Sequence, residues 1–166
     1  MNQEAKKYID QLNLRTHPEG GYYKEEYRSK GIIAPDSDET MYPAGRNYST
    51  SIYFMLEGAD TSSFHRIRSD ETWHFYAGSS ATIHIIHPDS LYEARYLGSD
   101  LEKGQAFQIT VPGRSWFGVS VNKIDSFTLA GCTVAPGFDF NDFEMGDPYK
   151  LKQAFPEHTE VIDQLS

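Results

Sequence analysis

Apolar and polar residues alternate with a period of two through most of this chain, and that alternation limits the folds it can adopt. Short runs of β-branched and aromatic residues occupy residues 22–134, and Gly, Pro, Asn and Asp separate them. A period of two places alternate side chains on opposite faces of a strand, so each run predicts a half-buried β-strand. The nine predicted strands cover residues 23–28, 50–56, 62–67, 72–77, 81–86, 94–97, 107–111, 115–119 and 126–134. The expected fold class is therefore all-β, a sandwich or a barrel.

The two ends of the chain carry a helical period instead. Residues 5–12 place three apolar side chains on one stripe, and residues 157–165 do the same. Asp147 followed by Pro148 has the character of an N-cap and a first helical residue, which predicts a further short helix. The sequence thus predicts a β-core with short helices at both termini.

Two features bear on how the chain is organised. Residues 30–47 contain two prolines and two glycines among acidic residues, which predicts a long surface loop. The length of 166 residues suits one domain that buries a core without disulfides, so residues 1–166 are expected to form a single domain.

The charge and cysteine content exclude several classes of partner. The formal net charge is −9, from 24 acidic and 15 basic residues, so nucleic acid and anionic membranes are poor partners. No apolar run approaches the roughly 20 residues that span a bilayer. The first residues lack the apolar core of a signal peptide, and the only cysteine, Cys132, suits a reducing compartment. We expect a cytoplasmic protein that binds a small molecule.

The stretch from His65 to Gly78 holds the residues that most resemble a known chemical site. His65, Glu71 and Gly78 stand at the spacing of the metal-binding motif of cupins, but Ile67 occupies the position of its second histidine. Trp116 stands where the second cupin motif would place its metal-binding histidine. A transition-metal site needs three or four N, O or S donors, and two of these four positions cannot coordinate. We predict no bound metal and no cofactor.

A metal-dependent alternative stays open through His74. If a metal were bound, its ligands would be His65, Glu71 and His74. Strand alternation opposes this set, because Glu71 and His74 fall on opposite faces of a regular strand. Only a β-bulge would bring His74 to the same side.

Without a metal, His65 and Glu71 form a possible acid–base pair. A carboxylate within hydrogen-bond reach fixes the tautomer of an imidazole and raises its basicity, as proton abstraction next to a carbonyl requires. We therefore predict His65 as the base and Glu71 as the group that orients it. The alternative is a purely structural pair inside the fold.

Aromatic side chains near these motifs could form the walls of a ligand pocket. The predicted wall residues are Trp73, Phe75, Trp116, Tyr53 and Phe107, although aromatics at strand spacing can equally be core. The other four histidines lack a ligand spacing and are expected at the surface or in turns, namely His17, His84, His87 and His158. Cys132 is expected to be a small buried hydrophobe.

Several blocks of sequence taken together resemble one protein family. They read PEGGYYKEEYRS from residue 18, FHR from residue 64, SDETWHFYAG from residue 69, VPGRSWF from residue 111 and GCTVAPGFDF from residue 131. These blocks resemble a branch of small single-domain cupins, the fifth cupin family, known as a domain of unknown function. The resemblance implies a jelly-roll β-barrel, or double-stranded β-helix, that forms a homodimer and has a pocket inside the barrel.

The same resemblance implies kinship with metal-free sugar-nucleotide epimerases that use a histidine base. The chain lacks the basic residues that would clamp a nucleotide, so the implied ligand is a small polar or sugar-like metabolite. The leading hypothesis is a metal-independent cupin that, as an enzyme, would catalyse isomerisation or epimerisation by proton transfer. A non-catalytic binding or sensor domain and a metal-dependent cupin enzyme are the two alternatives.

Overall fold

The computed structural model describes residues 2–34 and 42–166. Within these residues the chain forms thirteen strands, three α-helices and three 3₁₀ turns. The strands are β1 (Arg15–Thr16), β2 (Tyr22–Arg28), β3 (Ile32–Ile33), β4 (Arg46–Asn47), β5 (Thr50–Glu57), β6 (Thr61–Arg66), β7 (Asp70–Gly78), β8 (Ala81–Ile86), β9 (Tyr92–Leu97), β10 (Gln108–Val111), β11 (Trp116–Val121), β12 (Phe127–Ala135) and β13 (Glu144–Met145). The helices are α1 (Gln3–Leu12), α2 (Pro148–Ala154) and α3 (Thr159–Gln164), and the 3₁₀ turns are Leu101–Lys103, Phe140–Asp142 and Pro156–His158.

Two antiparallel sheets pack face to face as a jelly roll. One sheet has six strands in the order β1-β2-β5-β12-β7-β10, and the other has five in the order β13-β6-β11-β8-β9. The strands β3 and β4 form a separate two-stranded ribbon. Strands that are distant in sequence are neighbours in both sheets, as the pairing of β12 with β5 and β7 shows.

The predicted β-core and terminal helices are confirmed. Each of the nine predicted strands has a counterpart, whereas β1, β3, β4 and β13 were not predicted because a two-residue strand is too short to show an alternation. The predicted surface loop at residues 30–47 includes residues 35–41, which lie outside the described residues. Its described ends contain β3 and β4.

The main core fills the space between the two sheets with large apolar side chains. Trp73 and Phe54 from the six-stranded sheet meet Ile83, Ile85 and Val119 from the five-stranded sheet, and all five are at most 2% exposed. Inward-facing side chains alternate along each strand, so burial of this layer fixes the register of both sheets. Burial at about 25 cal/mol per Å² of apolar surface makes this layer the main source of stability.

The helices cover the outer faces of the sheets. Helix α1 begins at the N-cap Asn2, whose side chain accepts from the backbone N–H groups of Glu4 and Ala5, and it packs on Met55 and other apolar residues of the six-stranded sheet. Helix α2 has the predicted Asp147 cap and packs with α3 on the five-stranded sheet. Each sheet therefore has an apolar outer patch under a helix, as amphipathic stripes require. No helix in the described residues is long and apolar enough to cross a membrane.

Candidate functional site

One end of the space between the sheets is open and forms a cavity of about 320 Å³. Strands of both sheets bound it, together with the segment after β12. The polar residues that line it are Arg15, His17, Glu19, Tyr23, Glu25, Arg28, Thr50, His65, Glu71 and Asp139. The apolar residues that line it are Ile52, Phe54, Ile67, Cys132, Val134, Phe138, Phe140 and Phe143. Ten polar side chains converging on one cavity are typical of a ligand site rather than of a core.

Three of these side chains come from one short stretch of chain, which consists of β1 and the turn after it. Arg15, His17 and Glu19 all line the cavity, and β1 holds the stretch in the sheet by pairing Arg15 with Tyr23 of β2. Arg15 and His17 are alternate residues of extended chain and so point to the same side, and the turn at residues 18–19 brings the Glu19 side chain to the same cavity. We call Arg15, His17 and Glu19 the entry row.

A turn at Gly20 brings Glu19, the last residue of the entry row, into contact with β6. Gly20 has a φ of +111°, and a Cβ at this position would lie 2.2 Å from the backbone oxygen of Thr61. Glycine is the residue that permits this conformation and this approach to β6. The backbone N–H of Ser63 donates to the Glu19 carbonyl at 2.9 Å, and the Glu19 side chain is 6% exposed.

His65 lies in β6 with both ring nitrogens engaged. Its Nδ1 is 2.8 Å from the Ser63 carbonyl oxygen, and its Nε2 is 3.1 Å from Oε2 of Glu19. A carbonyl oxygen only accepts, so Nδ1 carries a proton and donates it. Nε2 and Oε2 of Glu19 are thus close enough for one proton to lie between them. A pair that holds one such proton has no net charge.

Burial decides which member of the pair holds that proton. Desolvation raises the pKa of Glu19 to about 8, against the opposing hydrogen bond that Ser62 Oγ donates to Oε1 at 2.9 Å. Desolvation also lowers the pKa of His65, while the Ser63 carbonyl and the Glu71 carboxyl act in the other direction. Both shifts favour neutral side chains, so the shared proton lies on Glu19 near neutral pH.

His17 is a neutral histidine with a defined tautomer. The backbone N–H of Glu19 donates to its Nδ1 at 3.4 Å, which makes Nδ1 an acceptor and leaves the proton on Nε2. Burial, and next the nearby His65, lower the pKa of His17 to about 4. The 3.4 Å approach between Nδ1 and Oε2 of Glu19 is therefore not an ion pair near neutral pH. His17 was expected at the surface or in a turn. It is the first residue of the turn in which the Gly20 N–H donates to its carbonyl at 3.1 Å, and its ring lines the cavity, which was not predicted.

Glu71 reaches the cavity from the six-stranded sheet. Burial, and next the Glu19 carboxyl, raise its pKa to about 7, while His65 and a hydrogen bond with the Cys132 thiol oppose the shift. Cys132 is buried as predicted, and burial and the two carboxyl groups raise the pKa of its thiol. A group with a pKa near 7 can exchange a proton at neutral pH, so Glu71 is a second proton-active group in the cavity.

The structure changes the partner predicted for His65. Its two ring nitrogens are taken by Ser63 and Glu19, and the hydrogen bond that Glu71 makes is with Cys132. The physical reason is that His65 and Glu71 lie in different sheets, on β6 and β7. Glu19 arrives on the turn beside β6 and lies closer to the ring. Both predicted residues line the cavity, but Glu19 takes the orienting position that we had assigned to Glu71.

The five aromatic residues predicted as walls lie outside the cavity lining. Trp73 is core at 2% exposure and Phe75 packs against the same core, while Tyr53 makes an edge contact with Tyr76 on the outer side of the sheet. Phe107 is 50% exposed. Trp73 and Phe75 face the same side of β7 as Glu71. They lie further along the strand, in the packed core rather than at the open end of the barrel.

Trp116 also lies outside the cavity lining, and three other aromatic residues form the wall of the cavity. Trp116 lies under the guanidinium of Arg66, 4.5 Å from its ring centroid, and packs near the terminal helices. The aromatic wall consists of Phe138, Phe140 and Phe143, whose ring centroids lie 5.0–6.2 Å apart. This segment follows β12 and has no strand periodicity, so the alternation of apolar residues does not predict it as a wall.

The position of His74 bears on the metal-dependent alternative. His74 Nε2 bonds the Thr133 hydroxyl at 3.1 Å, and the ring does not line the cavity, as strand alternation predicts. Ile67 lines the cavity at the position of the second motif histidine. Among residues 2–34 and 42–166 no group of three or more His, Cys, Asp or Glu side chains is arranged to hold a metal ion.

Two arginines at the cavity opening differ in what they bind. Arg28 donates to both carboxylate oxygens of Glu25 at 2.9 and 2.6 Å, and also to Asn47 and to the Phe138 carbonyl. Arg15 lies 4.9 Å over the ring of Tyr23, and within the described part of the chain its guanidinium has no hydrogen bond or ion pair. Arg15 is therefore the cation at this opening that can still take an anion.

The comparisons with known proteins establish the family. Residues 6–146 match the family described as Cupin_5, cupin superfamily (DUF985). The chain belongs to this cupin family. A crystal structure of protein SO0799 from Shewanella oneidensis is 38% identical with a TM-score of 0.88, over 100% of this chain and 98% of that one. A hypothetical protein from Leishmania major is 33% identical with a TM-score of 0.87, over 100% and 99%.

Two other known proteins are less similar in sequence to this cupin. The uncharacterised protein YML079W of Saccharomyces cerevisiae is 29% identical over 145 residues, which are 81% of this chain and 71% of that protein. Oxalate decarboxylase from Bacillus subtilis aligns over 91% of this chain and 37% of its own, with 14% identity and a TM-score of 0.56. At that identity the likeness to the decarboxylase shows the cupin fold alone.

Proposed function

We propose that this cupin binds a small polar metabolite and moves a proton within it, as an isomerase or epimerase does, without a metal. The observation that carries the proposal is the 3.1 Å contact between His65 Nε2 and Glu19 Oε2 in an open cavity, with His65 Nδ1 bound to the Ser63 carbonyl. A buried pair of this kind, beside a second carboxyl with a pKa near 7, supplies both a proton donor and a proton acceptor.

The proposed step uses two proton-active groups with different roles. Glu71 as carboxylate takes the proton from a C–H bond next to a carbonyl, and the electron pair moves to the carbonyl oxygen. The proton shared by His65 and Glu19 goes to that oxygen, which gives an enediol or enol. For an isomerisation, the proton on Glu71 goes to the former carbonyl carbon of the enediol, while the proton of the other hydroxyl goes back to the His65–Glu19 pair. For an epimerisation, a proton returns to the original carbon from the opposite face, while the enol O–H proton goes back to the same pair. No oxidant or reductant is needed.

The size of the cavity supports a small ligand. A volume of about 320 Å³ is at the lower end of the roughly 300–1,000 Å³ of small-molecule sites. A nucleotide-linked sugar would need more room and more cationic groups than Arg15 and Arg28 offer. The proposed substrate is therefore a free small metabolite rather than a sugar nucleotide.

The donor set supports a metal-independent reaction. Ile67 contributes an apolar side chain where the cupin metal motif has a histidine, and Trp116 lies outside the cavity lining. The Nε2 atom of His65, which would bind a metal, already faces the carboxyl of Glu19. Three donors at about 2 Å would require this pair to separate.

One observation favours a second candidate function, a non-catalytic binding domain. His65 and Glu19 are only 2% and 6% exposed, so a ligand touches them from one side at most. In a sensor the same cavity would bind a metabolite without converting it. Turnover separates these two functions.

We also propose that the cupin forms a homodimer. Strand β10 is at the edge of the six-stranded sheet, and Phe107 beside it is half exposed, as is Tyr76 on the neighbouring β7. An uncovered strand edge with exposed aromatics favours pairing with another chain. Covering the same surface with a second copy would form a closed twofold dimer.

Deuterium exchange tests the proposed proton transfer directly. Small hydroxy-carbonyl compounds and free sugars are incubated in D₂O with the protein, and loss of C–H signals next to the carbonyl is followed by ¹H NMR. We expect exchange with the wild type and loss of it in His65→Gln and Glu19→Gln. The matched controls are His87→Gln and Glu144→Gln, the same chemical changes at residues outside the cavity. Specific ligand binding with no exchange for any bound compound would contradict catalysis and favour the binding domain.

A further inference from the structure

The entry row has two hydrogen-bond donors without partners, and they line the same cavity as Glu19. Arg15 and His17 both line the cavity, two residues apart on an extended segment. Within the described residues, neither the Arg15 guanidinium nor His17 Nε2 has a hydrogen bond or an ion pair. The one sealed polar side-chain atom without a partner in that part of the chain is Trp73 Nε1, so Nε2 of His17 is not sealed inside protein.

We propose that the ligand of this cavity is a small carboxylate with a carbonyl or hydroxyl group beside it, an oxo or hydroxy acid. Arg15 binds the carboxylate, and His17 donates its Nε2 proton to the neighbouring oxygen. This inference rests on the proposed function and names the substrate class and one further catalytic residue for the same site.

The assignment to His17 follows from its hydrogen bonds. The Glu19 backbone N–H occupies Nδ1, so a neutral ring has its proton on Nε2 and can only donate there. A neutral imidazole is a suitable donor to an oxygen that becomes an enolate, because it stabilises the negative charge without forming a stable ion pair. The low pKa of His17 agrees with this neutral state. His17 thus has the position and the protonation state of an electrophilic catalyst.

The assignment to Arg15 follows from a comparison with Arg28. Arg28 has its guanidinium filled by Glu25, Asn47 and a backbone carbonyl, so it cannot form a paired contact with a ligand. Arg15 is held by a ring contact with Tyr23, which leaves its N–H groups free to form the planar, two-point contact with a carboxylate. The unpaired arginine selects an anionic end for the ligand.

The other charges of the cavity limit the ligand to one negative charge. Glu25 and Asp139 at the opening both interact with Arg28, and Glu71 inside has a pKa near 7. A phosphate monoester would bring nearly two charges beside these carboxyl groups, with one free arginine to balance them. A monocarboxylate is balanced by Arg15 alone.

Pyruvate is the probe for this inference, with pyruvamide as its uncharged isostere and glycolaldehyde phosphate as its phosphorylated counterpart. Binding is measured by NMR titration of the full chain, with observation of the histidine ring nitrogens. We expect pyruvate to bind at millimolar concentrations and to shift the His17 Nε2–H signal without shifting His87. Arg15→Met should weaken pyruvate binding about tenfold or more, since a hydrogen bond to a charged group contributes about 1.5–3 kcal/mol.

Two further variants serve as controls for Arg15→Met. Arg15→Lys should retain part of the affinity, and Arg95→Met, at an exposed residue of β9, should leave it unchanged. The inference is overturned if pyruvate does not bind, if pyruvamide or the phosphate ester binds as well, or if Arg15→Met binds like the wild type. Deuterium exchange on neutral carbonyl compounds together with Arg15-independent binding would leave the proposed function standing. Arg15-dependent pyruvate binding without exchange would leave the carboxylate site standing.

Discussion

The two ends of the space between the sheets use the same strands for opposite purposes. Along β7 the inward side chains change from Glu71 at the cavity to Trp73 in the core. Along β5 they change from Thr50 and Ile52 to Phe54, which lies at the boundary because it lines the cavity and also packs in the core. Strand alternation is identical at both ends, so the difference lies in side-chain volume and polarity. Small and polar residues leave an opening at one end, and large apolar residues fill the other. The packed end supplies stability that allows titratable groups to be buried at the open end.

The largest effect is expected at the packed end. Ile83→Ala removes a fully buried side chain from the core and should lower the free energy of unfolding by about 3 kcal/mol, because it leaves a cavity among rigid neighbours. Chemical denaturation measures this loss. The matched variant at the open end is Ile52→Ala, where the side chain already borders free space, and we expect a loss of about 1 kcal/mol. Equal losses would show that the two ends are packed alike.

The pH dependence of stability should reveal the buried carboxyl at the open end. The pKa of Glu19 is about 8 in the folded protein and near 4.5 when unfolded, so the folded state binds its proton more tightly. The stability that the folded protein gains from binding this proton on Glu19 is complete below pH 4.5 and is lost as the pH rises toward 8. Below pH 6.5 the lowered pKa values of His17 and His65 act in the opposite direction, because the unfolded histidines take up protons first. Glu71, with a folded pKa of about 7, contributes a slope of the same sign as Glu19 up to that pH. The window in which Glu19 dominates therefore lies between about pH 7 and about pH 8.

In that window, Glu19 should lower the unfolding free energy of the wild type by up to about 1.4 kcal/mol per pH unit. In Glu19→Gln this part of the slope should disappear and leave the smaller part that comes from Glu71. Urea titrations at several pH values measure both slopes. Glu144→Gln, at an exposed carboxylate, is the control and should keep the wild-type slope. A slope that is the same in Glu19→Gln as in the wild type would mean that Glu19 is already ionised in the folded protein.

The smallest effect on the folded chain is expected at the β10 edge. Phe107→Lys places a charge on a half-exposed edge position and should change the unfolding free energy of one chain by less than about 0.5 kcal/mol. If the homodimer uses this edge, the same change should convert dimer to monomer in sedimentation at micromolar concentration. Leu91→Lys is the control, since Leu91 is also exposed but lies before β9 in the other sheet. A wild-type protein that sediments as a monomer would reject the dimer altogether.

The sequence predicted the fold well because alternation is a property of every strand longer than about four residues. It also brought His65 and Glu71 to one cavity through the cupin spacing. Glu19 and His17 were missed because they follow a two-residue strand and precede a glycine turn, where the period of two is hardly visible. The alternate spacing of Arg15, His17 and Glu19 was the available signal. To interpret that spacing, one had to know that Arg15 and Thr16 pair with β2.

The predicted wall failed for a different physical reason. The alternation along a strand tells which side of the sheet a residue faces, but not how far along the barrel it lies. Trp73 and Phe75 do face the inner side as predicted, but they lie in the core and not at the cavity. The true wall, Phe138, Phe140 and Phe143, comes from an irregular segment. Arg28 at the tip of β2 holds that segment through the Phe138 carbonyl. Such long-range contacts have no local sequence pattern.

The shared proton of His65 and Glu19 is the central claim, and ¹⁵N NMR of the histidine rings across pH tests it most directly. The account predicts that His65 keeps a proton on Nδ1, bound to the Ser63 carbonyl, and that its Nε2 signal changes together with the Glu19 carboxyl carbon near pH 8. In Glu19→Gln that common transition should vanish. A His65 ring that titrates near pH 6.5 in both the wild type and Glu19→Gln would contradict the account.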